Sequence, residues 1–337
     1  MEFVDIVLGC SFGDEGKGKV VYDLLSNKKN KYDMCVRFNG SSNAGHTVYV
    51  NEQKYVLHQL PIGVLCPKMY NLISSDALID IPKLRSEINK LGVNIKGRLF
   101  VSKSCHIISK EAIEYDVQNN VVGTTGSGIG YTYSQKMLRT GKRAEDFKEE
   151  LEQLGVTLVD MRKFWKMKFE RTVYRVLLEG AQGFELDINW TNNYPFCTSS
   201  TCTLAGAINT GIPIRKIRNI YGITKIYDTY VGAMKFQPED DDALNKIGDL
   251  GKEYGSTTGR RRQCNYLNMD NLIEAISINQ CNICIINKVD IVDKLGIYKL
   301  YHNGELVAFS NMESMKEYIS TQFPFVSIVF SSNPYKI

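Results

Sequence analysis

Residues Gly9-Cys10-Ser11-Phe12-Gly13-Asp14-Glu15-Gly16-Lys17-Gly18-Lys19 follow directly on the apolar run of residues 3–8. A buried strand that enters a glycine-rich turn and then a helix cradles phosphate. Glycines let backbone N–H groups approach the anion, and the helix N-terminus adds positive potential. Gly13-x4-Gly18-Lys19 meets most of the P-loop pattern, but Val20 stands where Ser or Thr would hold magnesium. The loop carries two acids instead, Asp14 and Glu15. A carboxylate beside a phosphate is unfavourable unless it binds a metal or moves a proton, so this loop is expected to do chemistry.

Such a loop needs a sheet to hold it. Apolar strand candidates recur at 3–8, 33–38, 98–101, 174–179, 219–226 and 283–287, with helical patterns between several of them. The alternation predicts an α/β fold with a mainly parallel central sheet, opened by a P-loop-like strand-loop-helix. No repeat or long linker interrupts it, so one domain over 1–337 is expected. The charged stretch at about 136–170 reads as a helical subdomain over the sheet. Residues 239–242 (Glu-Asp-Asp-Asp) read as an exposed helix start. Polar, glycine-bearing strings at 40–47, 123–130, 179–183, 198–203 and 256–262 follow strands or interrupt helices. In an open α/β sheet such loops converge at the carboxyl ends of the strands, where ligands bind.

Composition narrows the function classes. Of 337 residues, 43% are hydrophobic and 23% charged, as in ordinary globular proteins. A net charge of +4 is too small to argue for a nucleic-acid surface, whereas a modest cationic excess suits an enzyme that handles several anions. No stretch is long and apolar enough to span a bilayer, and the N-terminus reads as a strand, not a signal peptide. A cytoplasmic protein without a membrane partner is expected. Nine scattered cysteines agree with free thiols in a reducing compartment. Cys281-x-x-Cys284 has no second pair and no nearby histidine, and is expected as buried strand thiols rather than a metal pair.

Taken together, six ordered strings resemble the adenylosuccinate synthetase family. They are residues 13–19, Asn43-Ala44-Gly45-His46-Thr47, Gly123-Thr124-Thr125-Gly126-x-Gly128-Ile129-Gly130, Glu179-Gly180-Ala181-Gln182-Gly183, Tyr194-Pro195-Phe196-x-Thr198-Ser199-Ser200 and Thr257-Thr258-Gly259-Arg260-Arg261-Arg262. The resemblance spans essentially the whole chain, and the compact length with Ser127 is similar to the short archaeal form. It implies a carbon–nitrogen ligase of purine biosynthesis. A nucleoside triphosphate phosphorylates O6 of a 6-oxopurine nucleotide, and the amine of L-aspartate then displaces phosphate at C6.

The resemblance also implies roles. Asp14 is the base for purine N1–H and, with the Gly45 carbonyl, a ligand of Mg2+. His46 supports phosphoryl transfer, for which a cationic imidazole would offset developing charge. The triphosphate falls to Gly13, Asp14, Glu15, Gly16, Lys17, Gly18, Lys19, Gly45, His46, Thr47, Arg262, Lys288 and Asp290. Asn287-Lys288-Val289-Asp290 matches the segment that reads the triphosphate base. Ser11, Asp14, Asn43, Thr124, Thr125, Arg139, Gln182, Thr198 and Val231 face the acceptor nucleotide. Thr257, Thr258, Gly259 and Arg260 hold the carboxylates of aspartate, where a forked guanidinium suits bidentate pairing. In the family the arginine matching Arg139 reaches across from a partner subunit, which implies a homodimer. A GTPase-like switch also explains residues 13–19 and Asp290, but not the aspartate loop.

Three departures from the family pattern bear on the substrate. Ser11-Phe12 replaces Gln-Trp, which reduces side-chain volume beside Asp14. Tyr230 replaces an arginine and Met234-Lys235 replaces Gly-Pro along the ribose wall. Ser331-Ser332-Asn333-Pro334 departs from Ser-Thr-Gly-Pro near the triphosphate base. Extra room near C2 predicts a 2-aminopurine deoxynucleotide, dGMP, as acceptor. The chain then resembles a viral (bacteriophage) branch that makes diaminopurine nucleotides with ATP, dATP or GTP as donor, in the host cytoplasm. The alternative is a cellular enzyme using IMP and GTP.

Overall fold

The computed structural model describes residues 1–27, 29–119, 122–171, 174–255 and 259–337. The strand Phe3–Gly9 (β1) is aliphatic apart from Asp5, and its side chains alternate between two apolar layers. Val4, Ile6 and Leu8 pack with Val36, Val176 and Leu178, whereas Val7 packs with Cys35, Leu177, Ile223 and Ile285. A strand buried on both faces needs helices over both, which is the condition of a parallel sheet. Asp5 is tolerated in the middle of β1 because Arg218 Nε lies 3.1 Å from its Oδ1 and Asn219 N–H donates at 3.0 Å.

Eight more strands complete a nine-stranded sheet: Met34–Arg37 (β2), Tyr70–Ile73 (β3), Leu99–Ser102 (β4), Thr157–Val159 (β5), Arg175–Glu179 (β6), Ile217–Lys225 (β7), Ile283–Asn287 (β8) and Ser327–Phe330 (β9). Their order is β9-β8-β7-β1-β6-β2-β3-β4-β5, and every pairing within it is parallel. All six strands expected from the sequence are present. Three short ones, β3, β5 and β9, escape the apolar pattern.

One of these corrects the expectation for 136–170. The stretch supplies helices Lys148–Gln153 and Met161–Arg171, but between them β5 pairs with β4 and extends the edge of the main sheet. The density of charge around residues 157–159 hid a three-residue strand. At 239–242 the expectation holds: Asp241 caps helix Asp242–Gly251, its Oδ1 accepting from Ala243 N–H at 3.0 Å.

A hairpin, His46–Val50 with Gln53–Leu57, packs on helix Lys17–Ser26. A smaller four-stranded sheet holds Tyr227–Tyr230, Gln263–Asn268, Lys299–His302 and Glu305–Ala308. All nine cysteines are free, and Cys281 and Cys284 are buried. No helix among the described residues is long and apolar enough to cross a membrane. Five adjacent central strands end at Gly9, Arg37, Glu179, Lys225 and Asn287, which fixes where the polar loops meet.

Candidate active site

The phosphate loop leaves β1 and packs on its neighbours so closely that its glycines are required. A Cβ on Gly18 would lie 3.2 Å from His46 Cβ and 3.0 Å from Thr47 O. One on Gly9 would lie 2.5 Å from Gln182 O. Gly13 and Gly16 adopt positive φ of 82° and 87°. The loop is anchored from β8 by Asn287 Nδ2, which donates to Glu15 O at 2.7 Å.

The two acids of the loop point in opposite directions. Glu15 is 1% exposed and turned under the loop, where Oε1 accepts from Gly13 N–H at 2.8 Å and Ser11 N–H at 3.2 Å. Its Oε2 pairs with Lys17, itself 4% exposed. Glu15 and Lys17, expected from the sequence at the triphosphate, pair with each other inside the loop. Asp14 instead stands outward with φ 57°, its Oδ2 3.0 Å from Arg262 Nε. Lys19 reaches the C-terminal segment, with Nζ donating to Ser331 Oγ at 2.8 Å and Asn333 O at 2.9 Å. Burial lowers the Lys19 pKa to about 8.

Behind Asp14 runs a buried ionic chain that the sequence reading missed. Arg262 bridges Asp14 and Glu253, and Glu253 Oε1 lies 3.3 Å from Lys225 Nζ and accepts from the Tyr227 hydroxyl at 2.7 Å. Burial alone would push the Glu253 carboxyl up, but Lys225, Arg262 and Lys288 outweigh it and hold the group at about 2 against an ordinary 4.5. A depressed folded pKa contributes stability that is present above about pH 4.5 and lost as pH falls to about 2. Glu253→Gln is therefore expected to lower Tm at pH 7. The gap to the parent protein should close as pH drops through that window in a melting series. A gap independent of pH would remove the charge of Glu253 from the account.

His46 is 7% exposed at the start of the hairpin. Burial, then Arg37, Lys17 and His58, hold its pKa well below the ordinary imidazole range, so the ring is neutral at pH 7. The sequence reading expects a cationic imidazole during transfer, and burial with the neighbouring cations disfavours that form here. The positive charge beside it is the Arg37 guanidinium, with Nη1 2.9 Å from Nδ1 and 3.0 Å from Nε2.

Contacts link the remaining loops. Arg260 Nη2 donates to Gly123 O and Thr124 O, both at 3.2 Å, joining the 255–262 loop to the third glycine string. A Cβ on Gly123 would lie 2.8 Å from Ala233 N, which sets that string against Gly232-Ala233, the residues that follow Val231. Thr124 Oγ1 donates to Asp116 Oδ1 at 3.0 Å and Thr125 Oγ1 to Ser127 Oγ at 2.9 Å. Gln182 adopts φ 58°, and its buried Oε1 has no hydrogen-bond partner among the described residues. Asn43 and Gly45 lie in the second string just before the hairpin, and Thr198 N–H donates to Leu186 O at 2.9 Å. Thr257 and Thr258 lie outside the described residues; Gly259, at φ 67°, borders them. Lys288 Nζ donates to Gly251 O at 2.8 Å, and Asp290 pairs with Lys294 at 3.2 Å. Arg139 stands exposed at the end of helix Ile129–Leu138, next to Leu138 at 72% exposure.

Both members of the Ser11-Phe12 pair are engaged by neighbouring side chains. The Ser11 hydroxyl lies 2.9 Å from Thr224 Oγ1 and is buried. Phe12 packs edge-on against Phe236 at 4.8 Å and Tyr230 at 5.8 Å between ring centroids. The departures at 12 and 230 are thus two parts of one aromatic cluster.

A model of the family described as "Adenylosuccinate synthetase" matches residues 6–170 and 144–318. The adenylosuccinate synthetase of Candida dubliniensis is 38% identical over 367 aligned positions, covering 90% of this chain and 83% of its own. The chain belongs to the adenylosuccinate synthetase family. It is a carbon–nitrogen ligase of that type. The enzyme of Phocaeicola vulgatus is 36% identical, covering 88% of this chain and 80% of its own. Among solved structures, fully ligated adenylosuccinate synthetase from Plasmodium falciparum superposes with a TM-score of 0.85 at 27% identity, covering 99% of this chain and 98% of that one. Cyanophage S-2L succinoaminodeoxyadenylate synthetase, bound to dGMP and dATP, gives a TM-score of 0.74 at 20% identity over 96% of this chain and 99% of that one. That likeness shows the shared fold.

Proposed function

We propose that the protein joins L-aspartate to C6 of IMP with GTP as phosphoryl donor, as in the cellular members of its family. The observation that carries this choice over dGMP is the mutual packing of Phe12, Tyr230 and Phe236, with the Ser11 hydroxyl turned toward Thr224. A guanine 2-amino group needs both volume and an acceptor, and the side chains read as supplying them are engaged elsewhere. The similarity to fungal and bacterial adenylosuccinate synthetases supports the same choice.

In this reading Asp14 takes the proton from N1 of IMP, which makes O6 nucleophilic. The bond from O6 to the γ-phosphorus forms as the bridging bond to the β-phosphate breaks. The amine of aspartate then attacks C6, phosphate leaves, and the amine sheds its proton. His46 donates a hydrogen bond during transfer, and Arg262 orients Asp14. Lys19, Lys288 and Asp290 serve the donor nucleotide. Asn43, Thr124, Thr125, Gln182, Thr198, Val231 and, from a second copy in a homodimer, Arg139 serve the acceptor. Arg260, Gly259, Thr257 and Thr258 serve aspartate.

The donor set, one loop carboxylate and a backbone carbonyl, fits Mg2+, an ion commonly held by one or two carboxylates plus substrate phosphates. Asp14 and the Gly45 carbonyl would hold it, and it would neutralise charge on the transferring phosphoryl group.

An acceptor-by-donor panel tests the reading, with IMP or dGMP against GTP or ATP in the presence of aspartate and magnesium. IMP with GTP is expected to give the fastest product formation, with one GDP and one phosphate per product. Triphosphate hydrolysis without an aspartate adduct would overturn it in favour of a switch.

A further inference from the structure

Arg37 and Glu179 end the neighbouring strands β2 and β6 and are direct register partners. Both are inside the protein, at 1% and 0% exposure. Removing two charges from water costs several kcal/mol per ion and is recovered only with good geometry and further hydrogen bonds. Those bonds are present. Arg37 Nε donates to Asn39 O at 3.1 Å, Nη2 to His58 O at 3.3 Å and Nη1 to Glu179 Oε1 at 3.2 Å. Glu179 Oε2 accepts from Ile62 N–H at 3.1 Å. The fork is therefore fixed by three partners, one of them itself held by Ile62.

What this fixed fork touches is the His46 ring. Nη1 is nearly equidistant from the two ring nitrogens, so it lies against the ring rather than along one lone pair. Glu179 Oε1 also lies near the ring, 3.8 Å from Nδ1. Gly18 packs against the base of the same side chain, where an added Cβ would lie 3.2 Å from His46 Cβ. We infer that Arg37, held by Glu179, is a positioning residue: it sets the orientation of His46 and supplies a permanent positive charge beside it. This rests on the reading that His46 assists phosphoryl transfer.

A double-mutant cycle tests it, with wild type, Arg37→Lys, His46→Asn and the double variant assayed with IMP, GTP and aspartate. Arg37→Lys keeps the charge but loses the fork. It should lower kcat about 10²-fold, with each KM within about threefold. The double variant should be no slower than His46→Asn alone, because a residue acting through His46 has nothing left to position. Multiplying effects, or wild-type kcat in Arg37→Lys, would overturn the inference and leave the role of His46 intact. Wild-type kcat in His46→Asn would overturn both. Should Arg37→Lys fail to fold by thermal melting, Glu179→Gln takes its place in the same cycle with the same two outcomes.

Discussion

Asp14→Asn is expected to lower kcat by at least about 10³-fold while fold and nucleotide affinity persist. The substitution keeps size and shape, and Asn tolerates the left-handed backbone that Asp14 adopts at φ 57°. The carboxylate side chain is 33% exposed, so little packing depends on it, and Arg262 retains Glu253 as a partner. What disappears is the only outward-facing carboxylate of the phosphate loop, since Glu15 is turned under it. Steady-state kinetics with IMP and GTP, beside a melting curve and nucleotide titration, check the result. Near wild-type turnover would remove Asp14 as the base.

The second large effect concerns aspartate. Arg260→Leu is expected to raise the KM for aspartate roughly 10- to 100-fold, the worth of a charge-assisted pair. The KM for IMP should move much less. Arg260 also donates to Gly123 O and Thr124 O, so the comparison of the two constants matters more than either alone. Equal damage to both would make this arginine a tie between loops and not a substrate residue.

The parts of this site that the sequence exposed are those written in local pattern. The run into Gly9–Lys19, the six strands and the helix cap at Asp241 follow from apolar period, glycine and turn chemistry within a few residues. The departures at Phe12 and Tyr230 were also visible, but their contact was not. They are brought together only by fold, and read separately they did not show that the two rings meet. Glu15 shows a related limit: a motif gives residue type, whereas the rotamer that turns it under the loop depends on Lys17 and the backbone of Ser11 and Gly13. Lys19 meets Ser331 and Asn333 across more than 300 positions, beyond any spacing rule. Arg37 and Glu179 left a signal that could have been used. Each is a charge at the end of an otherwise buried strand, and two such residues on neighbouring strands meet at the ligand side of a parallel sheet.

The most direct test of the acceptor assignment is the ratio of kcat/KM for IMP to that for dGMP, measured with the wild-type protein, GTP, aspartate and magnesium. With Ser11 engaged by Thr224 and Phe12 closed in by Tyr230 and Phe236, the ratio is expected to favour IMP by at least about tenfold, the scale of one poorly accommodated polar group. A ratio favouring dGMP would contradict the account and place this chain with the enzymes that build 2-aminopurine nucleotides.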